Sequence, residues 1–314
     1  MRAVTPEVAA GAGGVLLFGS SAPSDLASQL QTVTAAAAPS GIQPLTMADE
    51  EGGAVQRMAN LVGNVPSARA MGATMNAATI QQLAEGLGTR MRDAGMTMDL
   101  APVLDLDGGD GPNNRDPDGT RSFSTDPVVA SADGRAFADG LRAGGVVPVM
   151  KHFPGLGNAT GNTDVTPAAT LPWSQVEQSG LQPFRDAVAA HVPAVMVANA
   201  SIPGLTSVPA SVSPSVITGI LRGQLGFHGL VLTDSLSATA LTAAGYSVPQ
   251  AAVAAIAAGA DMVLFSADAS HVASTTSATV DAIVAAVRDG ALSRPRLVDA
   301  VSHVLAVKSV TLCN

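Results

Sequence analysis

Seven short, unbroken apolar runs, each bounded by Gly, Pro or Asp, punctuate this chain at residues 14–18, 44–48, 96–101, 146–151, 194–199, 230–233 and 262–265. A strand with one wet face alternates apolar and polar residues, whereas unbroken runs of this length mark strands of a parallel sheet covered on both faces. Helix-length segments separate the runs, at 24–38, 77–94, 127–143, 175–191, 215–225, 249–258, 272–288 and 294–308. Strand, crossover helix and parallel strand make the βαβ unit, so the chain reads as α/β throughout. No Pro/Ser-rich linker and no break in composition divides it, which makes residues 1–314 a single domain. Seven or eight such units over about 300 residues favour a (β/α)8 TIM-type barrel over an open sheet. Only seven strands are clearly marked, so the barrel's first strand is either missing or irregular, supplied by a weakly marked segment near Val4.

A hydrophobic fraction of 47% against 13% charged residues supplies a large core and excludes a disordered chain. The net charge is −9, and Lys151 and Lys308 are the only lysines, so no basic stripe exists for nucleic acid. The most apolar stretch, residues 251–260, ends at Asp261, well short of the roughly 20 residues a membrane span requires, and reads as a buried helix. One cysteine, Cys313, allows no internal disulfide and no zinc cluster. Arg2 and Glu7 open the chain without an apolar stretch, so it reads as cytoplasmic unless a leader precedes it.

In a parallel barrel the chemistry collects at the C-terminal ends of the strands. Here the polar residues gather at those ends: Asp49-Glu50-Glu51 after the second run, Asp105 and Asp107 after the third, Lys151-His152 at the fourth, Asn199 at the fifth, and Thr233-Asp234-Ser235 at the sixth. Any one of them reads equally well as a loop or capping residue, and it is their convergence on one face that suggests a site. Two carboxylates flanking a sugar ring are the minimum for glycoside hydrolysis, one protonating the departing oxygen and the other attacking or stabilising the anomeric centre. Asp234, inside the apolar segment 229–236, suits a fixed nucleophile. Lys151 and His152 suit hydrogen bonds to hydroxyls, and Arg57 and Arg121 do the same or orient carboxylates. Each of these four also has a plain reading as an ion-pair partner across the barrel mouth.

Competing motifs are weak. Residues 155–161 hold one residue too many for the dinucleotide fingerprint, and neither a P-loop nor a Gly-x-Ser-x-Gly elbow occurs. The Asp-rich segment after Asn114 has Thr125 where a calcium loop needs Glu, so residues 105–119 read as a long loop over the active face.

Four motifs together resemble a known family. They are Asp49-Glu50-Glu51-Gly52-Gly53-Ala54-Val55-Gln56-Arg57, then Arg121-Ser122-Phe123, then Lys151-His152-Phe153-Pro154-Gly155, and Gly229-Leu230-Val231-Leu232-Thr233-Asp234-Ser235-Leu236. In order and approximate spacing they resemble glycoside hydrolase family 3, in particular its single-domain bacterial β-N-acetylhexosaminidases, over about residues 13–308. The resemblance implies a (β/α)8-type barrel, a retaining double displacement that releases terminal β-linked N-acetylglucosamine, as in cell-wall turnover, and no metal or organic cofactor. It implies a small oligosaccharide or amino-sugar substrate, Asp234 as nucleophile, and Asp49, Arg57, Arg121, Lys151 and His152 as the residues that hold the sugar. The family branch reads Lys-His-Phe-Pro-Gly-His-Gly, then four residues, then an Asp-Ser-His triplet whose His donates the proton and whose Asp orients it. Here Leu156 stands at the second His and Asn162-Thr163-Asp164 at the triplet. Three readings follow. Asp164 serves as the general acid/base; or the loop has drifted and the substrate is another β-glycoside, such as a β-glucoside or β-xyloside; or the chain binds sugar without cleaving it.

Overall fold

The computed structural model describes residues 4–37 and 40–310; Arg2, Ala38 and Cys313 lie outside the described residues. In chain order the strands are β1 (Gly14–Leu16), β2 (Leu45–Ala48), β3 (Glu50–Gly52), β4 (Val55–Gln56), β5 (Met98–Asp99), β6 (Val147–Phe153), β7 (Ala194–Val197), β8 (Leu230–Ser235) and β9 (Met262–Leu264). Seven of them form one all-parallel, TIM-barrel-like curled sheet in the order β1-β2-β5-β6-β7-β8-β9. Each apolar run of the sequence supplies one of these strands. Between β9 and β1 no ladder joins the described residues. There Met262 packs its terminal methyl against Gly13 and Gly14, near enough that a Cβ on Gly14 would lie 3.0 Å from it.

Side-chain alternation decides what each strand buries. Leu45, Met47, Met98, Leu100, Val149, Ala194, Met196, Leu230 and Leu232 pack on one another as one buried cluster. Their strand neighbours Met150, Val195, Val197 and Val231 pack instead with Phe184, Ile217 and Leu221 of the helical layer. The period of two in a strand sends successive residues to opposite faces, and both faces are dry, which is why the runs look unbroken.

The helices are marked by ordinary signals. Asn76 caps Ala77–Asp93, Asp126 and Pro127 start Pro127–Ala143, Ser247 and Gln250 form a capping box on Val248–Ala258, and Ser293 caps Arg294–Val307. Helices Ala77–Asp93 and Pro127–Ala143 meet through Gly88, Gly140 and Gly144, where an added Cβ would strike the partner backbone.

Two expectations need correction. Val4 supplies no strand: it has helical φ/ψ and leads into the helix Thr5–Ala9, where Pro6 offers no N–H to a ladder and a φ suited to a first helical turn. The segment 175–191 is not one regular helix: Trp173–Gln175 runs through a wide π-turn, Val176–Gly180, before Gln182–Ala189, with Gly180 and Pro183 at the break. After β2, β3 and β4 pair antiparallel as a small hairpin. No helix among the described residues is long and apolar enough to cross a membrane.

Candidate active site

The site begins with carboxylates that leave β2. Asp49 follows its last residue, β3 carries Glu50 and Glu51, and the antiparallel β4 turns the chain back and ends beside Arg57. Lys151 and His152 sit in the last three residues of β6, joined by a cis peptide, and Arg121 ends the short helical turn Gly119–Arg121. These cationic and acidic groups meet in one buried network. The Lys151 Nζ donates to Asp49 Oδ1 at 2.7 Å and to Glu51 Oε1 at 2.6 Å. Arg121 grips Glu51 in a fork, Nε to Oε2 at 2.7 Å and Nη2 to Oε1 at 2.8 Å, a geometry that suits guanidinium and carboxylate. Arg57 Nε stands 3.7 Å from Asp49 Oδ2.

Burial alone would raise the pKa of Glu51, but Arg121 and Lys151 hold its carboxyl below the usual carboxylate range. Burial alone would lower Lys151, and Asp49 and Glu51 hold its ammonium above its ordinary value. Both therefore stay charged at neutral pH. Glu50 points the other way: its carboxylate accepts the backbone N–H groups of Arg57 and Met58 and the Gln56 amide, and so fixes the turn from which Arg57 projects.

His152 is held by Asp105. The carboxylate accepts from His152 Nδ1 at 2.7 Å, from the His152 backbone N–H at 3.1 Å and from the Leu156 N–H at 2.6 Å. Burial, together with the positive charge of Arg121, lowers His152 to about 4, so its ring is neutral at pH 7. The same burial pushes Asp105 up to about 7.

Asp234 lies at the C-terminal end of β8, where its Oδ1 accepts the Ser235 N–H at 2.6 Å. Burial raises its pKa, the neighbouring Asp164 charge adds to the rise, and His152 and Lys151 oppose it. Behind it, Asn199 donates to the Ser235 carbonyl at 2.7 Å while accepting from Ser211 at 2.6 Å, so the polar end of the fifth run braces the strand end.

The loop between β6 and the next helix carries the positions where the sequence departs from the family pattern. Leu156 is buried with Ala159, Ala198 and Ala200 and performs no chemistry. Asn162 Oδ1 accepts the Asp164 backbone N–H at 2.9 Å, which shapes the turn but leaves the Asp164 carboxylate without a hydrogen-bond partner among the described residues. Partial desolvation raises the Asp164 pKa, with Arg121 and Arg57 opposing and Asp49 reinforcing the rise, so this carboxyl feels the same charges that line the site. The loop is pinned on its other side by Asp107, which accepts the Asn158 N–H at 2.8 Å.

Sequence reasoning gave no role to Glu51, Asp105 or Asp118, although each is buried against the network. The available signal was charge balance: one Lys and two Arg converging on a dry face require more than Asp49 as counter-ion. Two trios have the residue types of a metal site, Asp105-Asp118-His152 and Asp261-Asp299-His303. In the first, Asp105 and His152 bond directly to each other and Arg121 Nη1 lies 3.5 Å from Asp118. In the second, Asp261 already faces the guanidinium groups of Arg222 and Arg296, so a divalent ion would meet two cations. A cavity of about 920 Å³ opens at the opposite end of the barrel between Val147, His191, His228 and His303, and contains none of the residues of the network.

The chain is 38% identical over 232 residues to the β-hexosaminidase LpqI of Mycobacterium tuberculosis, an alignment covering 72% of this chain and 59% of that protein, so the chain spans about three-fifths of LpqI. It is 35% identical over 261 residues to a β-hexosaminidase of Stenotrophomonas maltophilia, covering 80% of this chain and 75% of that one. Among solved structures, a glycosyl hydrolase of the same family from Mycobacterium smegmatis superposes with a TM-score of 0.87 at 35% identity, over 98% of this chain and 91% of that one. A β-N-acetylhexosaminidase from Beutenbergia cavernae superposes with a TM-score of 0.88 at 32% identity, over 99% and 93%. The profile of the glycosyl hydrolase family 3 N-terminal domain matches residues 7–307, and the chain belongs to that family.

Proposed function

We propose that this chain, acting as one barrel domain, is a retaining glycosidase that releases terminal β-linked N-acetylglucosamine from a small oligosaccharide. The observation that carries the reading is that Asp234 and the Asp49–Lys151–Glu51–Arg121 network lie at the C-terminal strand ends, and that the loop of Asp164 is bonded through its backbone carbonyl to Thr239, just after β8. The relatives named for β-hexosaminidase activity support the sugar.

Asp49, Arg57, Arg121, Lys151 and His152 hold the hydroxyls of the terminal sugar. Asp234 Oδ attacks the anomeric carbon as the glycosidic C–O bond breaks, and the departing oxygen takes its proton from the Asp164 carboxyl. This leaves a glycosyl ester on Asp234 and an ionised Asp164. Asp164 then removes a proton from water, the water oxygen bonds to the anomeric carbon, and the ester bond returns its electron pair to Asp234. The sugar leaves with its original configuration.

The test is a panel of aryl N-acetyl-β-glucosaminide, β-glucoside and β-xyloside. Release from the first, lost in Asp234→Asn, is the expected result. Asp164→Ala should lower turnover of an unactivated disaccharide by roughly 10²- to 10⁴-fold while sparing an aryl glycoside with a good leaving group. Equal losses on both substrates would remove the acid role from Asp164. The replacement of the family's proton-donating His by Asp164 favours a second reading, a sugar-binding protein without turnover, and sugar binding with no release from any of the three glycosides would establish it.

A further inference from the structure

The loop that carries Asp164 is clipped to the strand end that carries Asp234. The short helix Thr239–Ala243 begins after Ala238, which has no side chain with which to cap it. Its first donors turn to the loop instead: Thr239 N–H donates to the Asp164 carbonyl at 3.2 Å and Ala240 N–H to the Thr163 carbonyl at 3.0 Å. Thr239 Oγ1 adds a third bond to the same Asp164 carbonyl, at 2.7 Å. Thr239 follows Asp234 by only a few residues, so one clip spans both carboxylates. The Asp164 side chain has no hydrogen-bond partner of its own among the described residues, and its backbone is therefore what fixes it.

We propose that Thr239 is a positioning residue, whose hydroxyl holds the Asp164 backbone so that the two carboxyls stand across the sugar from each other. The inference rests on the reading of Asp164 as the general acid. It assigns Thr239 an effect on the protonation of the leaving group and none on the attack by Asp234, which keeps its own contacts at the end of β8.

The measurement is kcat and KM for Thr239→Val and Thr239→Ser on diacetylchitobiose, a poor leaving group, and on dinitrophenyl N-acetyl-β-glucosaminide, a good one. Loss of one hydrogen bond to the loop should lower kcat on the disaccharide roughly five- to tenfold in Thr239→Val, with KM and the aryl substrate changed less than about twofold. Thr239→Ser, which keeps the hydroxyl, should match the parent protein on both substrates. The double variant Thr239→Val/Asp164→Ala should be no slower on the disaccharide than Asp164→Ala alone, because both changes remove the same step. Equal losses on both substrates, additive losses in the double variant, or no loss in Thr239→Val would overturn the proposal. If Thr239→Val fails to fold, Thr239→Ala deletes the same hydroxyl without the added methyl and gives the same reading. If Asp164→Ala separates the two substrates and Thr239→Val does not, only the clip is wrong. A parent protein inert on both substrates overturns the clip and the proposed function together.

Discussion

Asp234 and Asp164 are both raised above the ordinary aspartate range, each first by desolvation, and the Asp164 charge lifts Asp234 further. In a retaining mechanism they must differ in protonation, one ionised and one carrying a proton, and mutual repulsion favours that singly protonated state. The sign of each limb follows. Attack requires ionised Asp234, so kcat/KM on an unactivated substrate falls as pH drops through the lower value of the pair. Proton donation requires protonated Asp164, so kcat/KM falls again as pH rises through the upper one. The expected profile is a bell. Asp164→Asn should abolish the alkaline limb and leave the acid limb close to its original place, because Asp164 is already uncharged when Asp234 ionises. A variant that keeps its alkaline limb would assign that limb to another group. His152 is a poor candidate for it, since burial keeps its ring neutral down to about pH 4.

At the scale of elements, β5 and the β3–β4 hairpin are joined by a buried carboxyl outside the proposed chemistry. Asp99 Oδ1 accepts the Glu50 N–H at 2.9 Å, its Oδ2 has no partner among the described residues, and burial raises its pKa well above the usual value. A carboxyl raised in the folded state contributes stability in full below the unfolded value of about 3.9, and that stability drains away as pH rises toward the folded value. Asp99→Asn keeps the acceptor for Glu50 and removes the ionisation, so its melting temperature should fall less between pH 5 and pH 9 than that of the parent. Parallel melting curves across that range would mean Asp99 does not titrate there. The sequence made β5 legible as an apolar run, and made Asp49, Lys151, His152 and Asp234 legible as strand ends, because the rule that polar residues gather there is local. It did not show the hairpin, since Glu50-Glu51-Gly52 has neither apolar alternation nor strand propensity, and the pairing is enforced by Glu50 bonding the turn from within. Nor did it show Asp105 as the partner of His152 or Glu51 as the shared counter-ion, because those pairings join residues far apart in the chain and only the closed sheet brings them together. The Asp164 clip was hidden for a similar reason: two of its three bonds run between backbone groups alone, and the third ends on a backbone carbonyl, none of which carries a residue signature.

Two charged clusters lie at opposite ends of the sheet. One is the network at the C-terminal strand ends. The other centres on Asp261, just before β9, whose buried carboxylate accepts from Arg222, from Arg296 at 2.7 Å, from His303 at 3.0 Å and from the Val231 N–H at 2.8 Å. Arg296 and His303 belong to the helix Arg294–Val307, and Arg222 to the wide helix Ser215–Gln224, so this carboxylate ties two helices to the start of β8. In a barrel, the N-terminal face serves stability while the opposite face serves chemistry. Asp261→Ala leaves the partly exposed Arg222 without its carboxylate, leaves Arg296 with Asp299 alone, and takes from the Val231 N–H its acceptor, so the tie between the two helices and β8 is lost. The unfolding midpoint in urea should fall accordingly, while kcat of the fraction that remains folded stays at the parent value, because no bond of this cluster reaches Asp234 or Asp164. A fall in kcat with an unchanged urea midpoint would show instead that the two ends of the barrel are coupled, and the division of labour between its faces would have to be abandoned for this protein.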